Sequence, residues 1–278
     1  MSYDALGVAA LNYTPCKYEN SRITFRGPER RLDVPYVAFL GGTETYGKFI
    51  KAPFPALVES DIGVNCVNFG VVNAGLDVFL NDPFALEAAS AAKLTVLQIV
   101  GAQNLSNRFY SVHPRRNDRF LSASPLLCSI YPEVDFAEFH FNKHMLSALH
   151  EVSEERFEIV REELQIAWSA RMKLMLRRIE GDVILLWFAD HAPSGAHDFE
   201  ANPACAKEPL YVTKAMIDDL SAHITDFVEV TASRDAIKSG TTGMIFSEME
   251  GLAASKLMGP KAHGEAALQL GPVLHGKI

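Results

Sequence analysis

A threonine that follows a glycine pair is the first residue of this chain that could do chemistry. An apolar run ends at Gly41-Gly42, and Thr43 comes next. A threonine hydroxyl can be a nucleophile if a base takes its proton and donors hold the oxyanion. Its β-methyl group crowds a tight turn, which would make it slower than serine. The alternative is that Thr43 caps the following helix or hydrogen-bonds a ligand, together with the neighbouring Glu44 and Thr45.

Two histidines are candidates for the base. His263 lies near the start of the last predicted helix, where an ordinary surface histidine is the alternative. Asp190-His191 follows a buried apolar run directly. Neighbouring residues form a triad-like pair only through an unusual turn, so we take His263 as the first candidate.

Amide groups that could hold an oxyanion follow two other apolar runs. Gly70 and Asn73 stand at the exit of one run, and Gln103-Asn104 at the exit of another. A turn stabilised by asparagine is the alternative for Gln103-Asn104. Two amide side chains in succession supply more donors than a turn needs, which favours oxyanion or ligand binding.

A positively charged loop follows these amides. Its basic residues are Arg108, His113, Arg115, Arg116 and Arg119. The planar arginine fork favours carboxylate, phosphate or sulfate, and the interleaved Phe109, Tyr110 and Pro114 could stack on a sugar or base. The alternative is a loop paired with the protein's own carboxylates.

Five short apolar runs must position these groups. They cover residues 34–40, 64–69, 94–100, 182–189 and 227–231. Unalternated runs separated by helical segments are typical of a parallel sheet buried on both faces. The helical segments are expected at 49–62, 77–92, 153–179, 211–223 and 262–270. The sequence therefore predicts an α/β fold, a three-layer α/β/α sandwich around a five-stranded, mostly parallel, flavodoxin-like sheet.

The domain organisation is expected to be simple. Residues 1–33 form an irregular N-terminal arm, and residues 34–278 form a single α/β domain with a helical insertion around 120–180. Met and Trp recur at helical spacing along 153–179, which fits either core or a homodimer face. Homo-oligomerisation therefore stays open.

The order of these motifs resembles the SGNH (GDSL-type) hydrolases. Gly41-Gly42-Thr43 fills the slot of the Gly-Asp-Ser nucleophile block, and Asn68–Gly75 looks like the block whose glycine, here Gly70, serves the oxyanion hole. Gly101–Asn104 looks like the Gly-x-Asn-Asp block, with Gln103 at the Asn position and Asn104 at the Asp position. His263 precedes the last helix, as in the family's Asp-x-x-His block, but no Asp stands three residues before it.

Every chemical position thus departs from the SGNH pattern. The chain is more similar to a family of uncharacterised proteins that carry Gly-Gly-Thr-Glu-Thr and Gly-Ala-Gln-Asn. The SGNH resemblance implies an ester hydrolase or acyltransferase acting on a small or saccharide-linked ester, or a degenerate relative that binds an anionic saccharide or acyl ligand. A third hypothesis, sulfuryl transfer by Lys238–Thr242, is the least favoured because that loop lies late in the chain.

The composition argues against several classes of partner. The net charge is −8 and the pI about 5.6, which leaves no global basic field for nucleic acid. No window approaches the roughly 20 apolar residues of a membrane span, and the N-terminus is a poor signal peptide. The cysteines, Cys16, Cys66, Cys128 and Cys205, are scattered and form no zinc motif or disulfide framework. We therefore expect a soluble, cytoplasmic protein with a small-molecule or saccharide ligand and no metal or cofactor.

Overall fold

The computed structural model describes residues 11–193, 202–203 and 206–278. The strands are β1 (Tyr36–Gly41), β2 (Asn65–Gly70), β3 (Leu94–Gln98), β4 (Tyr110–His113), β5 (Arg116–Ala123), β6 (Val183–Ala189) and β7 (Asp226–Thr231). Five of them form one sheet in the order β2-β1-β3-β6-β7, with every neighbouring pair parallel. The expected α/β fold with a five-stranded sheet is confirmed.

Helices cover both faces of this sheet. They are α1 (Thr43–Tyr46), α2 (Phe54–Ile62), α3 (Leu76–Leu80), α4 (Ala85–Ala91), α5 (Pro125–Ile130), α6 (Asn142–Val152), α7 (Glu154–Arg178), α8 (Lys214–Asp218), α9 (Arg234–Ser239), α10 (Gly251–Ala254) and α11 (Pro260–His275). Short 3-10 turns lie at Phe136–Glu138, Ser221–His223 and Glu248–Glu250. No helix in the described part of the chain is long and apolar enough to cross a membrane.

Alternate residues of each strand divide between two cores, as period-two side chains must. Leu97 and Leu185 face the core shared with α7, whereas Val96 and Ile184 face the core shared with α2 and α11. The methionine and tryptophan stripe of α7 is part of the first core, and the indole of Trp168 donates to Val100 O at 2.8 Å. That stripe is therefore core in this chain and not an exposed dimer face.

Several predicted helices are shorter or divided in the structure. The expected helix at 49–62 begins only at Phe54, because Pro53 precedes it and Phe49 adopts φ 68. The expected helix at 77–92 is broken around Asp82, whose Oδ1 accepts from Phe84 N at 3.1 Å and Ala85 N at 3.0 Å. These bonds satisfy two backbone donors at the start of α4, which begins at Ala85.

A two-stranded antiparallel hairpin stands where the sequence suggests only a loop. It is formed by β4 and β5 within the arginine-rich segment. Asn117 anchors it to the carboxyl edge of the sheet, since its Oδ1 accepts from Gly75 N at 3.0 Å and Val78 N at 2.9 Å. The hairpin therefore lies over the exits of the strands.

Residues 11–33 pack on the sheet domain through Tyr18, Ile23 and Phe25, which are buried. The guanidinium of Arg26 donates to four backbone carbonyls between residues 46 and 51. Residues 1–10 of the expected arm, and Cys205, lie outside the described residues. The described cysteines are free thiols.

Candidate functional site

The carboxyl ends of β1, β2 and β3 bring three of the predicted site residues together. Asn73 N donates to Thr43 Oγ1 at 2.9 Å, and Thr43 Oγ1 lies 3.3 Å from Asn73 Oδ1. The Asn104 amide donates to Asn73 O at 3.3 Å. Strand order reverses between β1 and β3, so these residues stand at the topological switch point where open α/β sheets bind ligands.

The hairpin and α6 complete this group. Asn73 Nδ2 donates to Asp118 Oδ2 at 3.0 Å, and Asn142 Nδ2 donates to Asn104 Oδ1 at 3.2 Å. We call Thr43, Asn73, Asn104, Asp118 and Asn142 the switch-point cluster. Asn73 is exposed and holds a left-handed backbone with φ 55, a conformation that asparagine tolerates better than most residues.

Gln98 holds the turn that presents Thr43, and the sequence analysis missed it. Its Oε1 accepts from Gly42 N at 3.1 Å, Thr45 N at 3.1 Å and Thr45 Oγ1 at 2.6 Å. The only sequence signal was an amide side chain within a mostly apolar strand. Thr45, expected to bind ligand, is fully buried, and its hydroxyl donates to Gln98 Oε1. It therefore shapes the turn rather than lining a site.

Gly70 serves packing in this structure. Its N–H donates to Asn68 Oδ1 at 2.9 Å, so that amide is already occupied and is not directed at an oxyanion. A Cβ at this position would lie 2.2 Å from Tyr46 N, which means that α1 can approach β2 only because residue 70 is a glycine.

Gln103 is buried away from the cluster. Its amide nitrogen donates to both carboxylate oxygens of Glu208, at 2.9 and 3.1 Å. Of the adjacent pair Gln103-Asn104, the structure therefore brings only Asn104 to Thr43.

His263 is fully buried between the rings of Phe54 and Phe188. Phe54 N donates to its Nδ1 at 3.1 Å, so a neutral ring carries its proton on Nε2. Neither nitrogen then offers a free lone pair. The structure does not join His263 to Thr43 by a hydrogen bond, and the ring cannot take the Thr43 proton in this arrangement.

Glu44 faces the same buried histidine. Its Oε2 lies 3.6 Å from His263 Nε2, beyond hydrogen-bond length, and its Oε1 accepts from Met258 N at 3.2 Å. The carboxylate thus ties α1 to the segment before α11. It was expected among the ligand-binding residues, but these contacts are structural.

The Asp190-His191 pair has the geometry of an acid–base dyad. His191 Nδ1 lies 2.8 Å from Asp190 Oδ1, and Lys207 Nζ lies 2.6 Å from Asp190 Oδ2. The turn that lets these neighbours bond is fixed by Trp187, whose indole donates to His191 O at 2.7 Å. The hydrogen bond from His191, with that from Lys207, lowers the pKa of Asp190 to about 2 although burial opposes the shift. With Nδ1 on the carboxylate, Nε2 of His191 is the nitrogen left for proton transfer.

The Asp190-His191 pair and Thr43 follow strands that are not neighbours in the sheet. The pair follows β6, while Thr43 follows β1, and β3 lies between the two strands. Two strand spacings amount to roughly 9–10 Å. The hydrogen bonds of Thr43 Oγ1 within the described residues go to Asn73 and not to His191.

The basic residues of the hairpin region divide into three groups. Arg108 pairs with Glu163, with Nε–Oε2 at 2.6 Å, and Arg119 Cζ lies 4.2 Å from the centroid of the Phe141 ring. His113 Nδ1 accepts from Arg115 N and Arg116 N, both at 3.2 Å, and so closes the hairpin turn. The side chains of Arg115 and Arg116 are exposed and form no ion pair within the described ranges. Of the five basic residues in this region, Arg115 and Arg116 are the two that combine an exposed side chain with no ion pair among the described residues.

Two other kinds of site find no support in the structure. Lys238 stands in the last turn of α9, which ends at Ser239, so Lys238–Thr242 follows a helix instead of opening one. A phosphate-binding loop needs the opposite arrangement. Among residues 11–193, 202–203 and 206–278, no group of three or more His, Cys, Asp or Glu could hold a metal ion.

A family model described as "Domain of unknown function (DUF6473)" matches residues 1–278. The chain belongs to this family. No curated protein matches the DUF6473 chain.

Three solved structures share a weak likeness with this DUF6473 chain. A carbohydrate acetylesterase family member from Sinorhizobium meliloti is 10% identical, with a TM-score of 0.45 over 88% of this chain and 99% of that one. A lipase from a goat rumen metagenome is 13% identical, with a TM-score of 0.38 over 88% and 98%. A gut microbial diltiazem-metabolizing enzyme is 12% identical, with a TM-score of 0.42 over 87% and 47%. These values are too low to assign a function to the DUF6473 chain.

Proposed function

We propose that the switch-point cluster binds a hydroxylated small molecule of the saccharide class. The observation that carries this proposal is the hydrogen-bonded chain Thr43–Asn73–Asp118 at the carboxyl edge of the sheet. A hydroxyl, an amide and a carboxylate offer donors and acceptors in alternation. Sugar hydroxyls both donate and accept, so they can replace the hydrogen bonds that these side chains now make to one another.

Binding fits Thr43 better than nucleophilic attack does. Its hydroxyl points at the amide oxygen of Asn73, which is far too weak a base to take the proton. Nucleophilic threonines need an adjacent base, and no imidazole is hydrogen-bonded to Thr43 in the part of the chain that the structure describes. The proposal therefore gives Thr43 a binding role.

An acidic group on the ligand would find its partner on the hairpin. Arg116 and Asp118 lie two residues apart on β5. Asp118 repels an anion from the cluster itself, whereas the exposed Arg116 attracts one. The ligand favoured by this arrangement has its hydroxyls at the cluster and any carboxylate toward Arg116.

Ligand-observed NMR against neutral and acidic sugars tests the proposal. Thr43→Val and Asp118→Asn should each weaken sugar binding at least tenfold. The exposed residues Thr231 and Glu229 on β7 provide the controls Thr231→Val and Glu229→Gln, which should leave binding unchanged. Equal binding by all four variants would overturn the assignment of this cluster as the ligand site.

A second candidate function, ester hydrolysis, is favoured by the Asp190-His191 geometry. In this hypothesis His191 Nε2 takes a proton from water as the water oxygen adds to an ester carbonyl, and returns the proton to the departing alkoxide, which leaves as the alcohol. Asp190 holds the ring in the required tautomer. The motif order that resembles SGNH hydrolases supports the same reaction class.

A screen of acetylated sugars and activated esters separates the two functions. Hydrolysis through the dyad predicts that His191→Gln abolishes turnover while sugar affinity is retained. Binding alone predicts saturable sugar affinity without turnover. Turnover that survives in His191→Gln would exclude the dyad as the acid–base group.

A further inference from the structure

The imidazole of His113 closes the turn of the β4–β5 hairpin. Its Nδ1 accepts from Arg115 N and Arg116 N, both at 3.2 Å. A ring nitrogen that accepts hydrogen bonds carries no proton, so the neutral ring has its proton on Nε2. Register shifts on both sides of Val112 interrupt the strand ladder beside the turn. The turn therefore depends on the bonds to the imidazole as well as on the ladder.

The residues that follow the turn hold the hairpin on the edge of the sheet. Asn117 is buried, and its Oδ1 accepts from two backbone N–H groups at the start of α3, at 2.9 and 3.0 Å. Its Nδ2 donates to His113 O at 3.1 Å. Asp118 comes next, and its Oδ2 accepts from Asn73 Nδ2 at 3.0 Å. The turn is thus connected to the switch-point cluster through Asn117 and Asp118.

Protonation of His113 removes the acceptor that the turn uses. An imidazolium ring is a donor at both nitrogens, so an Nδ1–H would then face the N–H groups of Arg115 and Arg116. The new charge would also join a segment that already carries these two positive residues. His113 forms no ion pair among the described residues that could favour the charged ring.

The charged groups on the elements packed against the hairpin are engaged with other partners. These pairs are Asp77 with Arg171, Arg108 with Glu163, Lys143 with Ala206 O, Arg119 with the Phe141 ring and His144 with the Phe139 ring. Three further groups, Asp135, Glu138 and His140, lie in the segment beside Phe120, farther along β5. His113 is therefore the titratable group that bonds the turn itself.

We propose that His113 is a pH-sensitive switch for the hairpin. The neutral ring closes the turn and so holds Asp118 on Asn73, whereas protonation of the ring opens the turn and releases this contact. Ligand binding at the switch-point cluster then weakens as the solution is acidified. This last consequence rests on the proposed function, and the opening of the turn does not.

NMR of the whole chain at about pH 8 and about pH 5, above the range in which ordinary carboxylates titrate, tests the switch. Exchange protection of the Arg115 and Arg116 amides, corrected for the intrinsic effect of pH on exchange, should fall about fivefold or more at the lower pH. The Asn73 side-chain amide signal should move with the ring signals of His113. Protection that stays constant while the His113 ring titrates would overturn the proposal.

His113→Asn keeps an acceptor at the same position of the side chain but cannot gain a proton, since an asparagine oxygen bonds the same turn amides. In this variant the protection of the two amides should not depend on pH. His223→Asn changes an exposed histidine of the Ser221–His223 turn and is the matched control, which should behave like the parent. Equal pH dependence in the two variants would contradict the role of His113.

Sugar affinity at the same two pH values connects the switch to the cluster. From the higher to the lower pH, affinity should fall about fivefold or more in the parent and in His223→Asn, and stay within about twofold in His113→Asn. An equal fall in all three proteins would show that the hairpin turn does not control binding. If none of them binds sugar at either pH, the proposed function fails, and the amide measurements alone decide the switch.

Discussion

Asn73 engages the Thr43 hydroxyl from two sides. Its backbone N–H donates to Thr43 Oγ1 at 2.9 Å, and its side-chain Oδ1 lies 3.3 Å from the same oxygen. The hydroxyl therefore has both a donor and an acceptor within the protein. These two contacts fix the position of the hydroxyl at the carboxyl edge of the sheet.

Removing the hydroxyl should cost stability as well as ligand affinity. Thr43→Val keeps the shape of the side chain but removes both hydrogen bonds to Asn73, and should lower the free energy of unfolding by about 1–2 kcal/mol. Thr43→Ser retains the hydroxyl and should stay within about 0.5 kcal/mol of the parent. Urea unfolding measures both. Equal stability of the two variants would show that the Asn73 contacts contribute nothing.

Gln98 should be more important for stability than any other polar residue near Thr43. Gln98→Leu leaves two buried backbone N–H groups and the Thr45 hydroxyl without their acceptor, a loss of about 3 kcal/mol or more. The control is Gln269→Leu on the exposed side of α11. A Gln98→Leu protein as stable as the control would contradict the role of Gln98 in holding the turn.

Two glycine substitutions should change the free energy of unfolding in opposite directions. Gly70→Ala places a methyl group 2.2 Å from Tyr46 N, and should destabilise the protein by several times the ~1 kcal/mol of an ordinary substitution. Gly264→Ala lies within α11 with no heavy atom within 4 Å of its Cβ, and should stabilise by roughly 0.5–1 kcal/mol. Thermal unfolding of both variants gives the comparison. A stable Gly70→Ala protein would mean that α1 can withdraw from β2.

His263 should behave as a core residue. His263→Phe fills much of the same space but removes the acceptor of Phe54 N, so the unfolding free energy should fall by about 1–3 kcal/mol. Sugar affinity should stay within about twofold of the parent, since His263 makes no contact with the switch-point cluster. If His263→Phe folds fully but loses ester turnover while His191→Gln retains it, the roles that we assign to the two histidines are wrong.

The Asp190 ion pair should make stability depend on pH in the acid range. Its folded pKa is lowered to about 2 by His191 and Lys207, below the ordinary value of about 3.9 for an unfolded aspartate. The ionised group therefore stabilises the fold above about pH 4, and this contribution is lost as the pH falls toward 2. The difference in unfolding free energy between parent and Asp190→Asn should shrink over that window. Urea titrations from pH 7 to pH 2 measure it, and a difference independent of pH would contradict the lowered pKa.

The sequence by itself determined the α/β layering of this protein and the sheet edge at which candidate site residues should lie. Short unalternated apolar runs separated by helical segments are typical of strands buried on both faces of a sheet, so the parallel sheet could be derived from the pattern. Parallel strands end at one edge, and for that reason Thr43, Asn73 and Asn104 could be expected to lie together.

Only the tertiary structure decided which side chains pair, because the partners lie far apart in the chain. His263 meets Phe54 across 209 residues, and Arg108 meets Glu163 across 55. No spacing rule encodes such contacts, so the histidine taken for a base is in fact a buried acceptor, and one of the arginines taken for ligand groups is neutralised by α7. The Asp190-His191 pair is adjacent in sequence, yet its hydrogen bond depends on a turn fixed by Trp187, and backbone geometry of that kind follows from packing and not from residue order.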